Sequence, residues 1–304
     1  MKKSSIKTII LIAGPTAVGK TSLAIEVAKY FQTEIISADS RQCYKELTIG
    51  VARPSVEELK HVPHHFIASH SINEEVTAII FEQYALKKAA DLFQTHDVVV
   101  MVGGTGLYIN AFCEGLDLIP EIDPAIRQQV IKSYEEKGLP WLQEKLQEKD
   151  PLFNKEGEMQ NPQRMMRALE VLEGTGESIL SFRKGEKVKR DFNIIKIGLE
   201  LPKEELNCNI YTRVDSMIAN GLVEEVKQLV PFRGLNALQT VGYIELFDYL
   251  DGKISLEKAI EQIKIATRQY AKRQLTWFRK DKAFSWFLPT QVNEIIELAD
   301  SCNH

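Results

Sequence analysis

The chain is poor in cysteine and has no long apolar run. Its 304 residues include only four cysteines, which are widely separated and form no C-x-x-C pair: Cys43, Cys113, Cys208 and Cys302. This spacing argues against a zinc motif and a disulfide framework, and we expect each cysteine to be a buried, reduced thiol. No segment approaches the roughly 18 consecutive apolar residues of a membrane span. These absences predict a cytoplasmic protein that has no membrane partner.

The chain also has no excess of basic charge. It carries 38 Lys and Arg against 42 Asp and Glu, a formal net charge of −4, which argues against an indiscriminately basic nucleic-acid binder. Basic residues are nevertheless concentrated in residues 183–190 and 264–282. In the second stretch, helical spacing predicts one stripe formed by Lys264, Arg268, Lys272 and Arg279. Each stretch fits either a solvated surface or a nucleic-acid contact.

One cluster of histidines has no matching ligands. His61, His64, His65 and His70 lie close together in the sequence, but no acidic or cysteine set accompanies them. A zinc site needs such a set of ligands at suitable spacing. We therefore expect these histidines to lie in a loop or on the surface.

The strongest positive signal is a glycine-rich loop that follows an apolar, β-branched run. Residues 8–13 predict a buried strand, residues 14–21 match G-x-x-x-x-G-K-T, and residues 22–30 have helical spacing of apolar side chains. In such a loop, backbone N–H groups, a helix N-terminus and a lysine surround an anion, and the threonine hydroxyl can hold magnesium. A turn that merely caps the helix is the alternative. The predicted condensed-phosphate site is formed by Gly14, Pro15, Thr16, Ala17, Val18, Gly19, Lys20 and Thr21.

Two further runs indicate an α/β core. Residues 33–38 and 97–102 predict strands, the first ending at Asp39 and the second at Gly103-Gly104-Thr105. The second run is continuously apolar, which is typical of a parallel strand covered on both faces. Because ligands of such sheets gather at the carboxyl ends of the strands, the phosphate loop, Asp39 and Thr105 are expected to share one crevice. The predicted fold class is a P-loop NTPase-like α/β protein, with a parallel sheet flanked by helices.

The middle of the chain changes to helical patterns. We predict a helical insertion domain at residues 121–191, after which residues 192–201 return to a strand-like pattern. The remaining chain is mostly helical, with a long pattern from Leu256 to Arg279, a strand-like segment at 284–288 and a final helix. The predicted α/β core thus consists of residues 1–120 and 192–304.

Several separated segments together resemble the tRNA dimethylallyltransferases, the IPP transferase family. The segments are the phosphate loop, DSRQCY at 39–44, IG at 49–50, GGTGLY at 103–108, NPQR at 161–164, RALEV at 167–171, VGY at 241–243, TRQ at 267–269 and KRQLTW at 272–277. They span nearly the whole chain in the family's order. The resemblance implies transfer of a dimethylallyl group from its diphosphate to N6 of adenosine 37, just 3′ of the anticodon, in tRNAs that read codons beginning with U.

The resemblance also implies catalytic roles. The phosphate loop would hold the diphosphate leaving group, with Mg²⁺ as cofactor at Thr21, so that charge is stabilised where it develops. Asp39 would be the base that takes a proton from the adenine amine. The residue pattern alone is equally consistent with Asp39 as a carboxylate behind the magnesium or as a helix cap. Thr105 would orient the reacting groups, and it can also cap the helix that follows it.

The implied partners are dimethylallyl diphosphate and the anticodon stem-loop of tRNA, bound by a monomer. The target adenine must leave its stack, which favours a loop nucleotide. The insertion domain would contact the tRNA. The implied tRNA-binding residues are Asp39, Ser40, Arg41, Gln42, Thr105, Arg127, Gln163, Arg164, Met165, Met166, Arg167, Arg268, Lys272, Arg273 and Arg279.

The chain departs from the family pattern at four positions. Val51 and Arg53 stand where threonine and lysine are usual, and Gln239 and Ile244 stand where arginine is common. The sequence therefore does not decide whether the substrate contacts that these side chains make in the family are made here.

Two other functions also fit a phosphate loop: a P-loop kinase that uses ATP, and a nucleotide-gated RNA-binding module without chemistry.

Overall fold

A six-stranded parallel sheet forms the centre of the computed structural model, which describes residues 6–303, and side chains up to residue 301. The spatial order is β3-β2-β4-β1-β5-β6. Strands β1, β2 and β4 are buried along their whole length, as expected for a parallel sheet covered on both faces. The strands are β1 (Thr8–Ala13), β2 (Ile35–Ala38), β3 (His64–His65), β4 (Val98–Gly103), β5 (Asn193–Leu199) and β6 (Ser285–Phe287).

The register of the sheet aligns the ends of three strands. Ala13 at the end of β1 and Ala38 at the end of β2 both pair with Gly103 at the end of β4. A Cβ on Gly103 would lie 2.2 Å from the carbonyl oxygen of Ala38, so only glycine allows this approach. The residues that follow these three strands therefore leave the sheet at the same edge.

Twelve α-helices and two short 3₁₀ turns, Val230–Phe232 and Asn236–Leu238, are found within the described residues. None of these helices is long and apolar enough to cross a membrane. The helices are α1 (Lys20–Tyr30), α2 (Val56–His61), α3 (Ala78–Leu92), α4 (Gly106–Glu114), α5 (Pro124–Lys149), α6 (Pro151–Glu156), α7 (Pro162–Thr175), α8 (Lys203–Ala219), α9 (Leu222–Leu229), α10 (Tyr243–Leu250), α11 (Leu256–Phe278) and α12 (Val292–Asn303).

The chain folds as two compact units. The first contains the sheet and comprises the residues up to Glu114 together with those from Lys189 onward. The second, Gly115–Val188, contains α5, α6 and α7 around its own apolar core, which includes Leu142, Phe153 and Leu169. Helix α5 is interrupted at Gly138, where φ is 74°. The predicted insertion, 121–191, begins six residues later and ends three residues later than this second unit.

The parallel α/β core predicted from the sequence is confirmed, with two local corrections. The histidine stretch was expected to be a loop or surface segment, but His64 and His65 form the edge strand β3, where His65 contacts Glu34 at 2.5 Å. A strand of two residues is too short to show an alternating or apolar pattern in the sequence. Cys208 is exposed on α8 and not buried as expected, whereas Cys43 and Cys113 are buried; the side chain of Cys302 lies outside the described residues.

Candidate active site

The phosphate loop makes a tight turn between β1 and α1. Its backbone adopts left-handed conformations at Ala17 (φ 65°) and at Gly19 (φ 98°), the residue that precedes α1. A Cβ on Gly14 would lie 2.7 Å from the carbonyl oxygen of Leu199, so the loop begins directly against β5. The loop therefore has the strand-turn-helix geometry in which backbone N–H groups surround an anion.

Lys20 lies close to two other charged side chains, those of Arg213 and Asp39. Its ammonium donates a hydrogen bond to the carbonyl of Pro15 at 2.7 Å. Burial, and next the positive charge of Arg213, lower the pKa of Lys20 to about 7, while the carboxylate of Asp39 opposes this shift. A bound anion would favour the charged form of the lysine. The loop is thus prepared for a ligand that brings negative charge.

Arg213, on α8, is a second cation at the loop that the sequence analysis missed. Its Nη1 atom donates to the hydroxyl of Thr16 at 3.4 Å. Burial lowers the pKa of Arg213 from its ordinary value, although the guanidinium keeps its charge at neutral pH. No motif marks this position, because Arg213 reaches the loop from about two hundred residues away in the sequence.

Gln274 joins the phosphate loop to the loop after β4. Its side-chain oxygen accepts a hydrogen bond from the backbone N–H of Thr16 at 2.8 Å, and its amide nitrogen donates to the carbonyl of Gly104 at 2.9 Å. A Cβ on Gly104 would lie 2.3 Å from that amide nitrogen. Helix α11 therefore fixes the spacing of the two loops. Gln274 belongs to the KRQLTW segment, but no role was predicted for it.

Asp39 and Thr105 lie at the edge where β2 and β4 end. The Oδ1 atom of Asp39 accepts from the backbone N–H groups of Arg41 (2.8 Å) and Gln42 (3.1 Å). Within the described residues, no hydrogen bond to Oδ2 is found. The hydroxyl of Thr105 accepts from the N–H of Ser40 at 3.0 Å and donates to the Ser40 hydroxyl at 3.3 Å. One carboxylate oxygen thus caps the 39–42 turn, and Thr105 ties this turn to the loop after β4.

Tyr270 is a further group near Asp39 that the sequence analysis did not select. It lies on α11, one turn before Gln274. Tyr270 is 37% exposed, and its partial burial and the negative charge of Asp39 are among the causes that raise its pKa. The guanidinium of Arg273 lies 5.8 Å from the centre of its ring. The Tyr270 ring is therefore an aromatic group near the Asp39 carboxylate.

A cavity of about 850 Å³ borders the phosphate loop. It is lined by Ala17, Val18 and Gly19 of that loop, by four residues of the segment that follows β2 (Thr48, Ile49, Ala52 and Arg53) and by the face of α8 that carries Arg213. Apolar side chains such as Ile49 and Met217 line it together with polar ones. Asp39 and Thr105 are not among its lining residues. The cavity thus gives access to the phosphate loop from the side that α8 covers.

The basic residues of α11 and its C-terminus have different environments. Lys264 pairs with Asp215 on α8 at 2.6 Å, and the guanidinium of Arg268 lies 5.5 Å from the ring centre of Tyr211. Arg279 pairs with Glu200 at 2.7 Å. Lys272 is exposed, and no ion pair with it is found among the described residues. The predicted stripe is therefore partly used in contacts within the first unit.

The remaining predicted RNA-binding residues lie in the second unit. Arg127 and Gln163 are exposed, Arg164 pairs with Glu158, and Arg167 pairs with Glu170. Met166 is half-buried. Met165 is fully buried in the core of this unit. Met165 is therefore a core residue. Its buried side chain cannot make the RNA contact that was predicted for it.

Two of the four residues that depart from the family pattern, Arg53 and Gln239, make side-chain hydrogen bonds. The guanidinium of Arg53 donates to the carbonyls of Tyr44 (2.5 Å), Lys45 (2.9 Å) and Leu47. The side chain of Gln42 donates to the carbonyl of Val51 at 3.2 Å. Residue 51 is therefore bonded through its backbone and not through its side chain. Gln239 donates to the carbonyl of Arg233 at 2.7 Å, and Ile244 is exposed.

The fold and the site define the class of the protein as a P-loop-like α/β protein. Residues 42–281 match the family model described as IPP transferase. The chain is 52% identical over 279 residues to a tRNA dimethylallyltransferase of Christiangramia forsetii, an alignment that covers 92% of each chain. It is 45% identical to tRNA dimethylallyltransferase 1 of Phocaeicola vulgatus, covering 98% of this chain and 99% of the other.

Solved structures give the same result. The crystal structure of a tRNA isopentenylpyrophosphate transferase from Bacillus halodurans matches with a TM-score of 0.71 and 34% identity, covering 97% of this chain and 96% of the other. A eukaryotic dimethylallyltransferase acting on tRNA matches with a TM-score of 0.73 and 26% identity, covering 97% of this chain and 77% of the other. The chain therefore belongs to the IPP transferase family, and it is an enzyme of the prenyltransferase type.

Proposed function

We propose that the enzyme transfers a dimethylallyl group from dimethylallyl diphosphate to N6 of adenosine 37 in tRNAs that read U-starting codons. The observation that carries this proposal is the aligned register of β1, β2 and β4, which brings the phosphate loop, Asp39 and Thr105 to one edge of the sheet. A diphosphate leaving group and a proton acceptor are needed side by side for this reaction. The names of the relatives give the same reaction class.

The donor diphosphate is assigned to the phosphate loop, with Lys20 and Arg213 as its cations. As the bond between the prenyl carbon and the diphosphate oxygen breaks, negative charge builds on the leaving oxygens. Preorganised N–H groups and cations stabilise that charge where it develops. The cavity beside the loop, with Ile49 and Met217 in its lining, gives the donor a partly apolar path to this position.

The acceptor amine is assigned to the side of Asp39 and Thr105. An exocyclic amine conjugated to a purine is a weak nucleophile, so a base that accepts its proton lowers the barrier. In the proposed step, a bond forms between N6 and the prenyl carbon, and the proton on N6 passes to the Asp39 carboxylate. The Oδ1 atom is held by the 39–42 turn, which leaves Oδ2 for the proton. Thr105 orients the groups through its hydroxyl.

Magnesium belongs to the proposal as the metal that accompanies the diphosphate. No group of three or more His, Cys, Asp or Glu side chains placed to hold a metal ion is found within the part of the chain described. This suits an ion that takes most of its ligands from phosphate oxygens and water. Thr21, in the first turn of α1 beside Lys20, would supply a hydroxyl ligand, and the ion would neutralise charge on the leaving group.

For the RNA, we propose that the anticodon stem-loop is the bound element. Arg41, Lys272 and Arg273 of the first unit, and Arg127, Gln163, Arg164 and Arg167 of the second, are the residues assigned to its contacts. Cations on the surface bind phosphates and so give affinity that depends on salt. We further propose that the enzyme acts as a monomer in the cytoplasm.

A direct test is to incubate the purified protein with Mg²⁺, dimethylallyl diphosphate and an unmodified anticodon stem-loop, and then to weigh the RNA. We expect a mass gain of one prenyl unit that maps to adenosine 37.

Asp39→Ala should abolish most of this gain while tRNA binding is retained, because the base is lost but the cationic surface is not. A parallel sample with ATP in place of the prenyl donor tests the kinase alternative. Phosphorylated product without any prenylated RNA would overturn the proposal.

A further inference from the structure

The carboxylate of Glu225 on α9 collects four hydrogen bonds. Its Oε2 atom accepts from the backbone N–H groups of Thr48 (3.1 Å) and Ile49 (2.8 Å). Its Oε1 atom accepts from the N–H of Gly50 at 3.0 Å and from the hydroxyl of Tyr243 at 2.7 Å. Three consecutive backbone donors are thus bound by one charged side chain, an arrangement about twice as strong per bond as its neutral equivalent.

Tyr243 completes this arrangement. A Cβ on Gly50 would lie 2.6 Å from the Tyr243 ring, so the ring packs directly on the backbone that Glu225 binds. Burial, and next the charge of Glu225, raise the pKa of Tyr243 well above its usual range, which keeps the phenol protonated as a donor. The IG and VGY segments, far apart in the sequence, therefore meet at Glu225.

The carbonyl side of the same loop is held by other residues. Gln42 donates through its amide nitrogen to the carbonyls of Val51 (3.2 Å) and Ala52 (3.0 Å). Ala52 has a left-handed conformation, with φ at 49°, which is unfavourable for a residue with a side chain and persists only where the surroundings impose it. The 48–53 loop is therefore fixed from both sides: Glu225 binds its N–H groups and Gln42 its carbonyls.

This loop connects two parts of the candidate site. Thr48, Ile49, Ala52 and Arg53 all line the cavity beside the phosphate loop. At its other end, the loop is bonded to Gln42, whose own N–H is bound by Asp39. A displacement of the loop would therefore change the cavity wall directly, and it would reach the Asp39 turn through the side chain of Gln42 and through the contacts of Arg53 with residues 44–47.

We propose that Glu225 is a positioning residue for the prenyl donor: by binding the N–H groups of residues 48–50, it holds the cavity wall against which the donor is bound. This inference rests on the proposed function, because it takes the cavity as the donor's path. Glu225 touches no reacting atom and acts through the loop. Its loss should therefore weaken donor binding more than it slows the bound complex or weakens RNA binding.

The test compares Glu225→Gln and Glu225→Ala with the parent and with Glu224→Gln, a matched control at the exposed neighbouring position. Steady-state kcat and KM are measured separately for dimethylallyl diphosphate and for the anticodon stem-loop, and circular dichroism with thermal unfolding reports the fold. Glutamine keeps one acceptor oxygen, so we expect about a tenfold rise in the donor KM, equivalent to one charge-assisted hydrogen bond. Alanine should give a larger rise.

The expected pattern has a specific form. In both Glu225 variants the donor KM rises, the RNA KM stays within about twofold of the parent, and kcat falls less than the donor KM rises, whereas Glu224→Gln behaves as the parent. Tyr243→Phe removes one donor to the same carboxylate and should give a smaller rise in donor KM. This variant provides a second measurement if Glu225→Ala does not fold.

Two outcomes overturn the inference. One is a folded Glu225→Gln and Tyr243→Phe pair with an unchanged donor KM. The other is an equal loss for donor and RNA, which would indicate a general structural role. A parent protein that transfers no prenyl group would instead contradict the proposed function, so the two failures are distinguishable.

Discussion

At the scale of single residues, the pKa of Lys20 is the property with the clearest functional consequence. In the free protein this pKa is about 7, because the ammonium is buried and lies near Arg213. Above that pH the free lysine is largely neutral, so binding a diphosphate, which favours the charged form, must take up a proton. From about pH 7 to about pH 9, the dissociation constant for pyrophosphate should therefore rise, by at most about tenfold per pH unit.

Isothermal titration calorimetry measures this linkage directly. Binding enthalpies recorded at about pH 8 in buffers of different ionisation enthalpy give the number of protons taken up. Arg213→Gln is the informative companion variant. It removes a charge that lowers the pKa of Lys20, so it should reduce the proton uptake even as it weakens binding. Proton uptake by the parent that is no greater than that of Lys20→Ala, which binds the same pyrophosphate ion, would show that Lys20 is already charged in the free protein.

Residues of the site differ in how visible they are in the sequence. Lys20, Asp39 and Thr105 follow strands within recognisable motifs, so their positions at one sheet edge are predictable from parallel topology. Arg213 and Glu225 are ordinary charged positions on helices α8 and α9, and only the tertiary packing brings them to loops about two hundred residues earlier in the chain. Met165 shows the opposite error, because a motif position was taken as a contact although its helical face is buried.

At the scale of elements, helix α11 acts as a spacer between two loops of the site. Gln274→Ala leaves the N–H of Thr16 and the carbonyl of Gly104 without their partner. Each unpaired buried group costs about 1–3 kcal/mol, so the free energy of unfolding should fall by about 2–6 kcal/mol. Urea denaturation measures this change, and pyrophosphate affinity should fall with it. Gln269→Ala, at an exposed position of the same helix, is the control, and an equal loss there would refute the role of Gln274.

The cations of α11 also give a prediction about RNA binding. Lys272 is exposed, whereas Lys264 is paired with Asp215 at 2.6 Å. If α11 binds RNA phosphates, Lys272→Ala should weaken binding of the stem-loop and reduce the slope of log K against log salt by about one. Lys264→Ala should leave that slope close to the parent value. Fluorescence anisotropy over a series of salt concentrations measures both, and identical slopes for the two variants would contradict the assignment.

Elements were predictable to the extent that their apolar patterns are long. The continuous runs of β1 and β4 and the helical pattern of α11 were each found within one or two residues of their observed bounds. Strand β3 has only two residues, both histidine, and so gives no pattern. The interruption of α5 at Gly138 was also missed, although Gly138 together with Pro140 two residues later is a break signal that the sequence carries.

At the scale of the whole molecule, the two segments of the first unit meet at α4, on either side of the point where the second unit is inserted in the chain. The guanidinium of Arg190 donates to the carbonyls of Ala111 (2.8 Å) and Phe112 (2.8 Å) and pairs with Glu82 at 2.6 Å. The chain therefore returns to α4 after residue 188, close to where it left that helix. Such closely spaced ends tolerate replacement of an inserted unit by a short linker.

Removal of the second unit therefore tests whether donor binding and RNA binding depend on different units. Replacing residues 115–188 by a short glycine-serine linker should leave the first unit folded, since that unit has its own core around the sheet. Pyrophosphate should bind within about threefold of the parent affinity, a change below 1 kcal/mol, because Lys20, Arg213 and Gln274 all belong to the first unit. Prenyl transfer to the stem-loop should be lost, because the proposed contacts of Arg127, Gln163 and Arg167 are removed. Calorimetry and the mass assay separate the two effects, and transfer at the parental rate would show that the second unit is not needed to bind RNA.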